Sequence, residues 1–441
     1  MQAILAVQGT YGDVVPITRV AAILKRCGHT VTLITHAGFR GLAEQEGLDF
    51  APVDTEDEFA QFTADMSWLL KPRGHIAFYK THTVPLLARE YRLVKENCRT
   101  AECVLIGNNL SSAGIQMAAE SIGLPLARVF LAPMHAPSFA TLEELHTTLL
   151  APELNALRAE FGLPRVENWP AWLRYPQLNL GNWPAWYAAP EPGWPTDLEI
   201  LPAGFLTLST LGTGELPGEM QAWLARHPDP ILITGSTGTS LKSGFFPACV
   251  EACRQLDRPG ILLTPHAHLL PSELPDQMIC QKFLPLGSIM QHVSVVVHHG
   301  GMGSLAQALA AGKPQLILAA GMDRPDNAQR LQRLGVAEYL PPPEWQPEKI
   351  AQAIRRLQAS PEVRQNCRLA AQKMAAMDPA AIVNPALEGL LAAHLAKPAA
   401  AQASVQNTAK GRRTAQLSQQ MQQLSAEQRR LLAARLKAKN G

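Results

Sequence analysis

The sequence predicts an α/β protein made of two doubly wound, Rossmann-like domains and a helical C-terminal extension. Short strand-like runs alternate with amphipathic helical segments over residues 1–131, and a second series of the same kind begins at residue 231. From residue 396 onward the composition shifts to Ala, Gln, Lys and Arg. A chain of 441 residues is long enough for two or three domains, so each series can form a domain of its own.

The N-terminal series predicts a parallel sheet. Ala3 to Val7 is typical of a buried strand, and it leads into a loop that contains glycine. Pro16 fits the first position of a helix that Gly28 ends. Strand–helix–strand units of this kind have right-handed crossovers, which make the strands parallel. The further strands expected in this half are 30–35, 104–107 and 127–131, and the further helices are 112–122 and 141–162.

The second series predicts a second parallel sheet. We expect an N-terminal domain at 1–212, a C-terminal domain at 213–395 and an extension at 396–441. Ligands of doubly wound sheets bind beyond the carboxyl ends of the strands, so the loops there are the places to search for a site. The expected strands are 231–234, 261–264, 293–298 and 315–320, and the expected helices are 244–256, 303–311, 326–334 and much of 347–395.

The sequence also argues against several classes of protein. No stretch of about 18 apolar residues lacks a charge or a proline, so we expect no transmembrane helix. The N-terminus has neither a basic segment nor a cleavage-site pattern, which favours a cytoplasmic protein. The seven cysteines include no CxxC pair, so we expect reduced thiols and no zinc site.

A tryptophan-rich segment covers residues 164–202. Five of the eight tryptophans lie there, and the pentapeptide NWPAW occurs twice, at 168–172 and 182–186. Either the segment is a proline-stiffened loop that packs back on the domain, or it forms an aromatic rim for an apolar acceptor. The second interpretation makes Trp183 and Trp186 acceptor contacts.

The strongest functional signal is a glycine-rich segment that follows a strand, VVVHHGGMGS from Val295 to Ser304. Backbone N–H groups at 301–303 can approach an anion closely, and the dipole of the following helix favours negative charge there. Ser304 adds a hydroxyl, and His298 or His299 adds a side-chain donor. The combination predicts a diphosphate site at the start of the helix.

This segment resembles the nucleotide-sugar signature of the family 1 glycosyltransferases. HHGGMGS at 298–304 is followed by ALAAGKPQ at 308–315 and by DRPDN at 323–327. The opening GTYGDVVP at 9–16 is similar to the subgroup of sterol glucosyltransferases, rhamnolipid rhamnosyltransferases and glycopeptide-antibiotic glycosyltransferases. The resemblance covers roughly residues 1–395.

The resemblance implies a GT-B fold, in which an N-terminal acceptor domain and a C-terminal donor domain face each other across a cleft. It implies inverting, metal-independent sugar transfer from an NDP-sugar, with no cofactor. The sequence has no Asp-x-Asp pair to hold a metal ion, so amides and His would have to stabilise the leaving diphosphate. By resemblance, and with His299 preferred to His298, the donor contacts are Ser236, Thr237, Phe283, His299, Gly300, Gly301, Gly303, Ser304, Asp323 and Arg324.

Some of these contacts leave alternatives open. Ser236 and Thr237 lie in a loop that can equally be an ordinary turn between a strand and a helix. Arg324 stands where family members commonly have Gln, and Arg cannot accept a hydrogen bond from a sugar hydroxyl. It therefore either changes the sugar, to a deoxy or acidic one or to an altered pose, or faces solvent.

Asp13 is the expected catalytic base, because the acceptor hydroxyl must lose a proton as it attacks the anomeric carbon. It follows the first strand and, by resemblance, faces the cleft. The alternative is a structural role as the cap of the helix expected from Pro16. Thr10 and Gly12 would shape the same loop and contact substrate. His135, which follows a later strand, is the second candidate for the base or for an acceptor contact.

Together these features predict a UDP- or dTDP-sugar-dependent hexosyltransferase. Its acceptor would be the hydroxyl of a small lipophilic or natural-product molecule, such as a lipid, a sterol-like compound, a polyketide or a peptide. One alternative is a catalytically weak, glycosyltransferase-like scaffold recruited to a biosynthetic assembly by its C-terminal helix. A GT-B epimerase is another, although it needs no acceptor site and the opening at 9–16 argues against it.

The tail carries the basic charge of the chain. Residues 396–441 contain nine Lys or Arg and one Glu, whereas the rest of the chain has a net charge of −6 within a total of +2. The segment 414–437 predicts an amphipathic basic helix with a capping box at 425–428. It resembles docking helices of nonribosomal peptide synthetases, which would give a protein partner; the alternatives are a peripheral membrane contact or no partner. No aromatic residues accompany the charge, so nucleic acid is not expected.

Overall fold

Two parallel sheets, one in each half of the chain, position every loop discussed below. The computed structural model describes residues 1–71, 74–206, 214–235 and 244–397. The N-terminal sheet consists of β1 (Gln2–Ala6), β2 (Thr30–Thr35), β3 (Asp49–Pro52), β4 (Cys103–Asn108), β5 (Leu126–Phe130), β6 (Leu178–Gly181) and β7 (Leu201–Pro202). The strands lie in the order β3-β2-β1-β4-β5-β6-β7, and all neighbours are parallel.

The second sheet repeats this arrangement. It consists of β8 (Ile231–Thr234), β9 (Gly260–Leu263), β10 (Met278–Gln281), β11 (Val295–His298), β12 (Gln315–Leu318) and β13 (Ala337–Leu340). The order β10-β9-β8-β11-β12-β13 matches the first six strands of the other sheet, again with parallel neighbours. The predicted pair of doubly wound domains is confirmed.

Helices cover both faces of each sheet, as parallel sheets require. The N-terminal half contains α1 (Tyr11–Arg26), α2 (Arg40–Gln45), α3 (Glu56–Asp65), α4 (Gly74–Phe78), α5 (Val84–Asn97), α6 (Ala113–Ile122), α7 (Phe139–Leu145), α8 (Ala151–Glu160) and α9 (Trp169–Leu173). The C-terminal half contains α10 (Gly218–Arg226), α11 (Phe245–Leu256), α12 (Leu286–Ile289), α13 (Met302–Ala310), α14 (Arg324–Arg333), α15 (Pro347–Ala359), α16 (Pro361–Ala375) and α17 (Ala380–Leu395). Two π-helical turns, Tyr79–Thr83 and His146–Leu150, extend α4 and α7. Short 3-10 turns cover Ala37–Phe39, Met66–Leu70, Pro133–His135, Ala267–Leu269, Met290–His292 and Pro342–Glu344.

Helix α1 begins five residues earlier than the sequence predicts. Thr10 is its N-cap, and Asp13 at the third helical position completes a capping box, so Pro16 lies inside the helix. The capping box satisfies N–H groups that the first turn leaves open, which favours the earlier start. Asp13 is therefore part of the helix rather than of the loop before it.

Helix α17 crosses back to the N-terminal domain. Its buried residues Val383 and Leu387 belong to the same hydrophobic cluster as Ile17 and Leu24 of α1. His29 Nε2 also lies 2.8 Å from the side-chain oxygen of Asn384. The predicted division at 213–395 therefore places α17 in the wrong domain, because its apolar face is covered by α1 and not by the second sheet.

Candidate functional site

The two loops singled out in the sequence lie at equivalent places in the two sheets. β1 lies between β2 and β4, and the start of α1 that follows it carries Thr10, Gly12 and Asp13. β11 lies between β8 and β12, and the turn after it carries the glycine-rich segment 299–303. The strand order reverses next to both strands, and such a switch point leaves a crevice for a ligand.

Asp13 is held in place by its own turn. Its Oδ2 accepts hydrogen bonds from the Thr10 N–H at 2.8 Å and from the Thr10 hydroxyl at 3.1 Å. Gly9 has φ +131°, and a Cβ there would lie 2.4 Å from this Oδ2, so the turn requires glycine. Both bonds fall on one oxygen, and within the described residues Oδ1 accepts none. The carboxylate thus caps α1 and keeps one oxygen available for a substrate.

Asp13 also lies close enough to the second domain for the charge of Asp323 to shift its pKa. Burial raises the pKa of the Asp13 carboxyl above its ordinary value, and the negative charge of Asp323 raises it further. The hydrogen bonds from Thr10 and the nearby His36 oppose this shift. Since Asp323 belongs to the C-terminal half, the two carboxyl groups lie near each other where the halves meet. A raised pKa makes Asp13 a better proton acceptor for a hydroxyl.

His36, to which the sequence assigned no role, supports the turn from beneath. Its Nε2 accepts the Gly9 N–H at 3.0 Å, and its Nδ1 lies 2.5 Å from Asp54 Oδ2. Because Nε2 acts as an acceptor, the proton is on Nδ1 and points to Asp54. Both side chains are buried, and the His36 ring stacks on Phe59 with centroids 4.7 Å apart. The pair fixes the backbone beside Asp13, which is a positioning role.

The glycine-rich turn is shaped by His298 at the end of β11. Its Nδ1 accepts the Gly300 N–H at 3.0 Å, and its Nε2 donates to Gln315 Oε1 at 2.9 Å. Burial lowers the pKa of His298 to about 4, so the ring is neutral. Gly300 has φ +93°, and a Cβ there would lie 3.0 Å from the Arg324 carbonyl oxygen. His298 is therefore structural, and Gly300 is required by the turn.

His299 is the histidine with an unused nitrogen. The side chain is 9% exposed, and its Nδ1 has no hydrogen-bond partner within the described residues. Burial, reinforced by the nearby Arg324 guanidinium, holds the pKa of His299 well below its ordinary value. A diphosphate placed beside both groups would reverse this shift, because negative charge favours the imidazolium.

The start of α13 offers backbone donors next to His299. Gly301 is the N-cap, and Gly303 and Ser304 lie in the first turn. A Cβ on Gly301 would lie 2.4 Å from His299 Nε2, whereas one on Gly303 would meet no atom within 4 Å. The first-turn N–H groups lack partners inside the helix and can bind an anion. The structure thus brings together the predicted contacts His299, Gly300, Gly301, Gly303 and Ser304.

Helix α14 begins beside the same turn. Asp323 is its N-cap, and Asp323 Oδ2 accepts a hydrogen bond from Asn327 Nδ2 at 2.9 Å. Asn327 Nδ2 also donates to the Gly300 carbonyl oxygen at 3.0 Å, and the Tyr187 hydroxyl donates to Asn327 Oδ1 at 3.4 Å. Asn327 therefore links the glycine-rich turn, Asp323 and the N-terminal domain. It belongs to the DRPDN motif, but the sequence assigned it no role.

Arg324 is buried, which excludes the alternative that it faces solvent. Its side chain is 8% exposed, and its charge acts on His299. Burial lowers the pKa of Arg324, and the negative charge of Asp323 opposes this. The guanidinium therefore adds positive charge to the place where His299 and α13 can hold an anion.

The other predicted donor contacts are less enclosed. Phe283 is 71% exposed in the loop between β10 and α12, where its ring is open to a planar group such as a base. Ser236 and Thr237 lie outside the described residues.

His135 reaches the cleft from the N-terminal side. Its Nδ1 lies 3.3 Å from Asn109 Oδ1, which places the proton on Nδ1 and leaves Nε2 as an acceptor. Burial lowers the pKa of His135, and the charge of Asp323 opposes this. Asp13 and His135 thus both lie close enough to Asp323 for its charge to act on them.

A cavity of about 360 Å³ extends from Gly9 into the N-terminal domain. Both π-helical turns contribute to its wall, and π-helical turns within helices recur at functional sites. Asn109, the partner of His135, also lies on the wall, so the cavity opens beside the cleft. Its apolar lining includes Phe62, Phe78, Leu87, Leu145, Leu150 and Trp172.

The two tryptophans predicted to contact an acceptor do not line this cavity. Trp183 is fully buried and packs edge to face on Trp194, with centroids 6.0 Å apart, so its predicted role is wrong. Trp186 lies where the domains meet, with Lys373 Nζ 5.5 Å from its ring centroid. Trp172, from the first copy of the repeat, lies on the cavity wall instead. The packing interpretation of the segment fits these positions.

The described ranges contain no group of three His, Cys, Asp or Glu side chains that could hold a metal ion. All seven cysteines are free thiols, as the sequence predicts. Among the helices of the described part of the chain, none is both long enough and apolar enough to cross a bilayer.

Two family models match the chain, one in each domain. Residues 3–138 match the glycosyltransferase family 28 N-terminal domain, and residues 250–390 match the erythromycin biosynthesis protein CIII-like C-terminal domain. Aclacinomycin-T 2-deoxy-L-fucose transferase of Streptomyces galilaeus is 32% identical over 33% of this chain and 33% of its own length. Demethyllactenocin mycarosyltransferase of Streptomyces fradiae is 32% identical over 36% of each chain. The aligned part therefore spans about a third of these curated relatives.

Solved structures show the same fold over most of the chain. The glycosyltransferase VinC in complex with dTDP has a TM-score of 0.67 at 20% identity, covering 89% of this chain and 99% of its own. The calicheamicin glycosyltransferase CalG4 has a TM-score of 0.64 at 19% identity, covering 89% and 98%. With one family model in each domain and this fold throughout, the chain belongs to the family 1 glycosyltransferases of the GT-B fold, in the group that contains the antibiotic glycosyltransferases.

Proposed function

We propose that this protein transfers a sugar from an NDP-sugar to a hydroxyl of a small lipophilic natural product, with inversion and without a metal ion. The observation that carries the proposal is the cleft itself. Asp13 has one oxygen without a hydrogen bond within the described residues, and its pKa is raised. The charge of Asp323, on the C-terminal domain, contributes to that raised pKa. His299 and the start of α13 lie on the same side as Asp323 and suit a diphosphate.

The proposed reaction is a single displacement. The acceptor hydroxyl passes its proton to Oδ1 of Asp13 while its oxygen forms a bond to the anomeric carbon. The bond from that carbon to the diphosphate breaks on the opposite face, which inverts the configuration. The leaving diphosphate gains negative charge, which the first-turn amides of α13, His299 and Arg324 would stabilise.

The relatives support a thymidine donor and a deoxy sugar. One solved structure is described as a complex with dTDP and another as a complex with thymidine diphosphate. The named curated relatives transfer 2-deoxy-L-fucose and mycarose. A deoxy sugar suits Arg324, because a hydroxyl that is absent needs no acceptor at this position. We propose a dTDP-deoxyhexose as the donor and the cavity beside Gly9 as the acceptor site.

The test is a donor and acceptor panel. Wild-type protein is mixed with UDP- or dTDP-activated sugars and 2-naphthol as the acceptor, in the presence of EDTA, and released nucleotide and glycoside are measured. We expect glycoside with the inverted configuration by NMR, and a preference for dTDP. Asp57→Asn changes an exposed carboxylate that does not line the cavity, and it serves as the control. Nucleotide binding without hydrolysis or transfer for any donor would favour the scaffold alternative.

A further inference from the structure

We propose that Arg128 binds an acidic group on the acceptor, so that the natural acceptor is a lipophilic molecule bearing a carboxylate. This inference rests on the proposed function, because it takes the cavity beside Gly9 as the acceptor site. Neither the family motifs nor the relatives assign a role to Arg128. The observations that point to it are its position, its missing partner and the charges around it.

Arg128 occupies a position where a central strand normally carries an aliphatic side chain. It is the third residue of β5, and its side chain is 4% exposed. Leu126 and Phe130, which share its face of the strand, belong to the hydrophobic core. Strands buried on both faces of a parallel sheet are usually continuous apolar runs, and buried Arg is rare unless it is paired. Such a charge needs an explanation that packing alone does not provide.

The guanidinium has donors left over. Its Nη2 donates to the Leu173 carbonyl oxygen, and its central carbon lies 5.3 Å from the Phe139 ring centroid. Nη1 has no hydrogen-bond partner, and within the described residues Arg128 forms no ion pair. A buried donor without a partner costs free energy, and an unpaired buried charge costs more. The single hydrogen bond to Leu173 connects β5 to α9, but it gives the positive charge of Arg128 no negatively charged partner.

The charge acting on Arg128 from its surroundings is positive. Burial lowers the pKa of Arg128 to about 9, with a further contribution from Arg174, so the group is still a cation at neutral pH. Arg174 is itself paired with Glu143 and Asp197. His146, also on the cavity wall, has its pKa lowered first by burial and also by the charge of Arg128. No carboxylate lies among the described residues that line the cavity, so the charge of Arg128 is not neutralised there and favours an anion.

The wall defines what kind of anion fits. Arg128 lines the cavity, and its unused Nη1 is a donor on a charged group. A carboxylate only accepts hydrogen bonds and so matches a charged donor of this kind. The rest of the wall is mostly aromatic or aliphatic, and about 360 Å³ suits a compact ring system.

The experiment compares two probes that differ only in charge. Binding of 6-hydroxy-2-naphthoic acid and of its methyl ester is measured by isothermal titration for the full chain. We expect the wild type to bind the acid at least about tenfold more tightly, as a charge-assisted hydrogen bond provides. Arg128→Met preserves most of the volume and removes the charge, so the acid should bind at least about tenfold more weakly and the ester unchanged. Arg92→Met, which removes an exposed cation on α5, should leave both affinities unaltered.

Arg128→Lys keeps the charge but loses the planar guanidinium, so it should keep part of the preference for the acid. It replaces Arg128→Met as the test variant if Arg128→Met does not fold. Equal affinity of the wild type for acid and ester, no binding of either probe, or a preference that survives in Arg128→Met would each overturn the inference. Transfer of sugar to 2-naphthol with no preference for the acid would contradict this inference alone. A charge preference without sugar transfer would contradict the proposed function instead.

Discussion

Asp13 uses its two oxygens differently, and this explains how one residue can be both a cap and a base. Oδ2 receives two hydrogen bonds from Thr10 and closes the first turn of α1. Oδ1 accepts none within the described residues and can take a proton. The capping alternative weighed from the sequence is therefore compatible with the proposed catalytic role, because the cap fixes the orientation of the carboxylate.

His299 should respond to the nucleotide by gaining a proton. Its Nδ1 is unpaired, and its pKa is held low by burial and by Arg324, so a bound diphosphate should raise that pKa. Titration of dTDP at pH 7 in buffers of different ionisation enthalpy should show proton uptake for the wild type. His299→Ala should bind about tenfold more weakly and take up no proton. His292→Ala, an exposed histidine, is the control; unchanged affinity in His299→Ala would remove His299 from the site.

Glu90 should make stability depend on pH. It is fully buried, its Oε1 accepts the Ile115 N–H at 2.7 Å, and burial raises its pKa to about 7. An unfolded Glu has a pKa of about 4.3, so stability is highest below that value and falls as the pH rises towards 7. Glu90→Gln removes this ionisation. The melting temperature of Glu90→Gln minus that of the wild type should therefore be larger at pH 8 than at pH 5.

The control for this experiment is Glu96→Gln, an exposed residue of the same helix. That variant should show the same difference from the wild type at both pH values. A Glu90→Gln difference that does not change with pH would contradict the buried, protonated carboxyl.

Sequence reasoning recovered residues that lie in local patterns and missed those whose partners are distant. Asp13 and the segment 299–304 could be found because strand, turn and helix follow each other directly. His36 and Asp54 are joined only by the sheet, 18 residues apart, and nothing in either short stretch signals the pair. Arg128 looks like an ordinary polar interruption of a strand until the fold buries it.

Helix α17 shows the same limit for whole elements. Its apolar pattern predicts a helix correctly, but a pattern does not say which domain will cover it. Leu387 is fully buried in the cluster formed with α1, so Leu387→Ala should lower the free energy of unfolding by about 3 kcal/mol. Leu395→Ala, 46% exposed on the same helix, should cost much less. Chemical denaturation of both variants tests this, and equal effects would contradict the packing of α17 on the N-terminal domain.

The cavity likewise arises from elements that the sequence left indistinct. Its wall combines α3, α4, α9 and the π-helical turn Tyr79–Thr83, none of which the sequence predicts, with the turn His146–Leu150 inside the helix predicted at 141–162. The predicted aromatic rim placed the acceptor contacts in the second NWPAW copy, whereas Trp172 of the first copy lines the cavity. Identical pentapeptides thus lie in different environments, which only tertiary contacts can distinguish.

At the scale of the molecule, direct bonds hold the two domains together across the cleft. Arg330 of α14 pairs with Glu191 of the N-terminal half at 2.6 Å, and Tyr187 bonds to Asn327. Asn327 also bonds to Asp323, so these contacts help to set how far Asp323 lies from Asp13. The chain crosses back through α17, which adds a third connection between the halves.

The described site lies entirely before residue 397, so the basic tail should be dispensable for chemistry. A chain of residues 1–397 should keep the wild-type rate of transfer to a free acceptor, measured as nucleotide release. A matched chain of residues 1–379 lacks α17 and should be unstable, because the cluster on α1 would be exposed. Loss of activity in the longer truncation would show that the tail contributes to the catalytic domains.

The most direct test of the central claim is the turnover of Asp13→Asn. Asn retains an oxygen for the cap, so the turn at Thr10 should be preserved while the base is lost. We expect kcat to fall by at least about 100-fold, with the dTDP affinity unchanged and Asp57→Asn as active as the wild type. A kcat near that of the wild type in Asp13→Asn would contradict the assignment of Asp13 as the catalytic base.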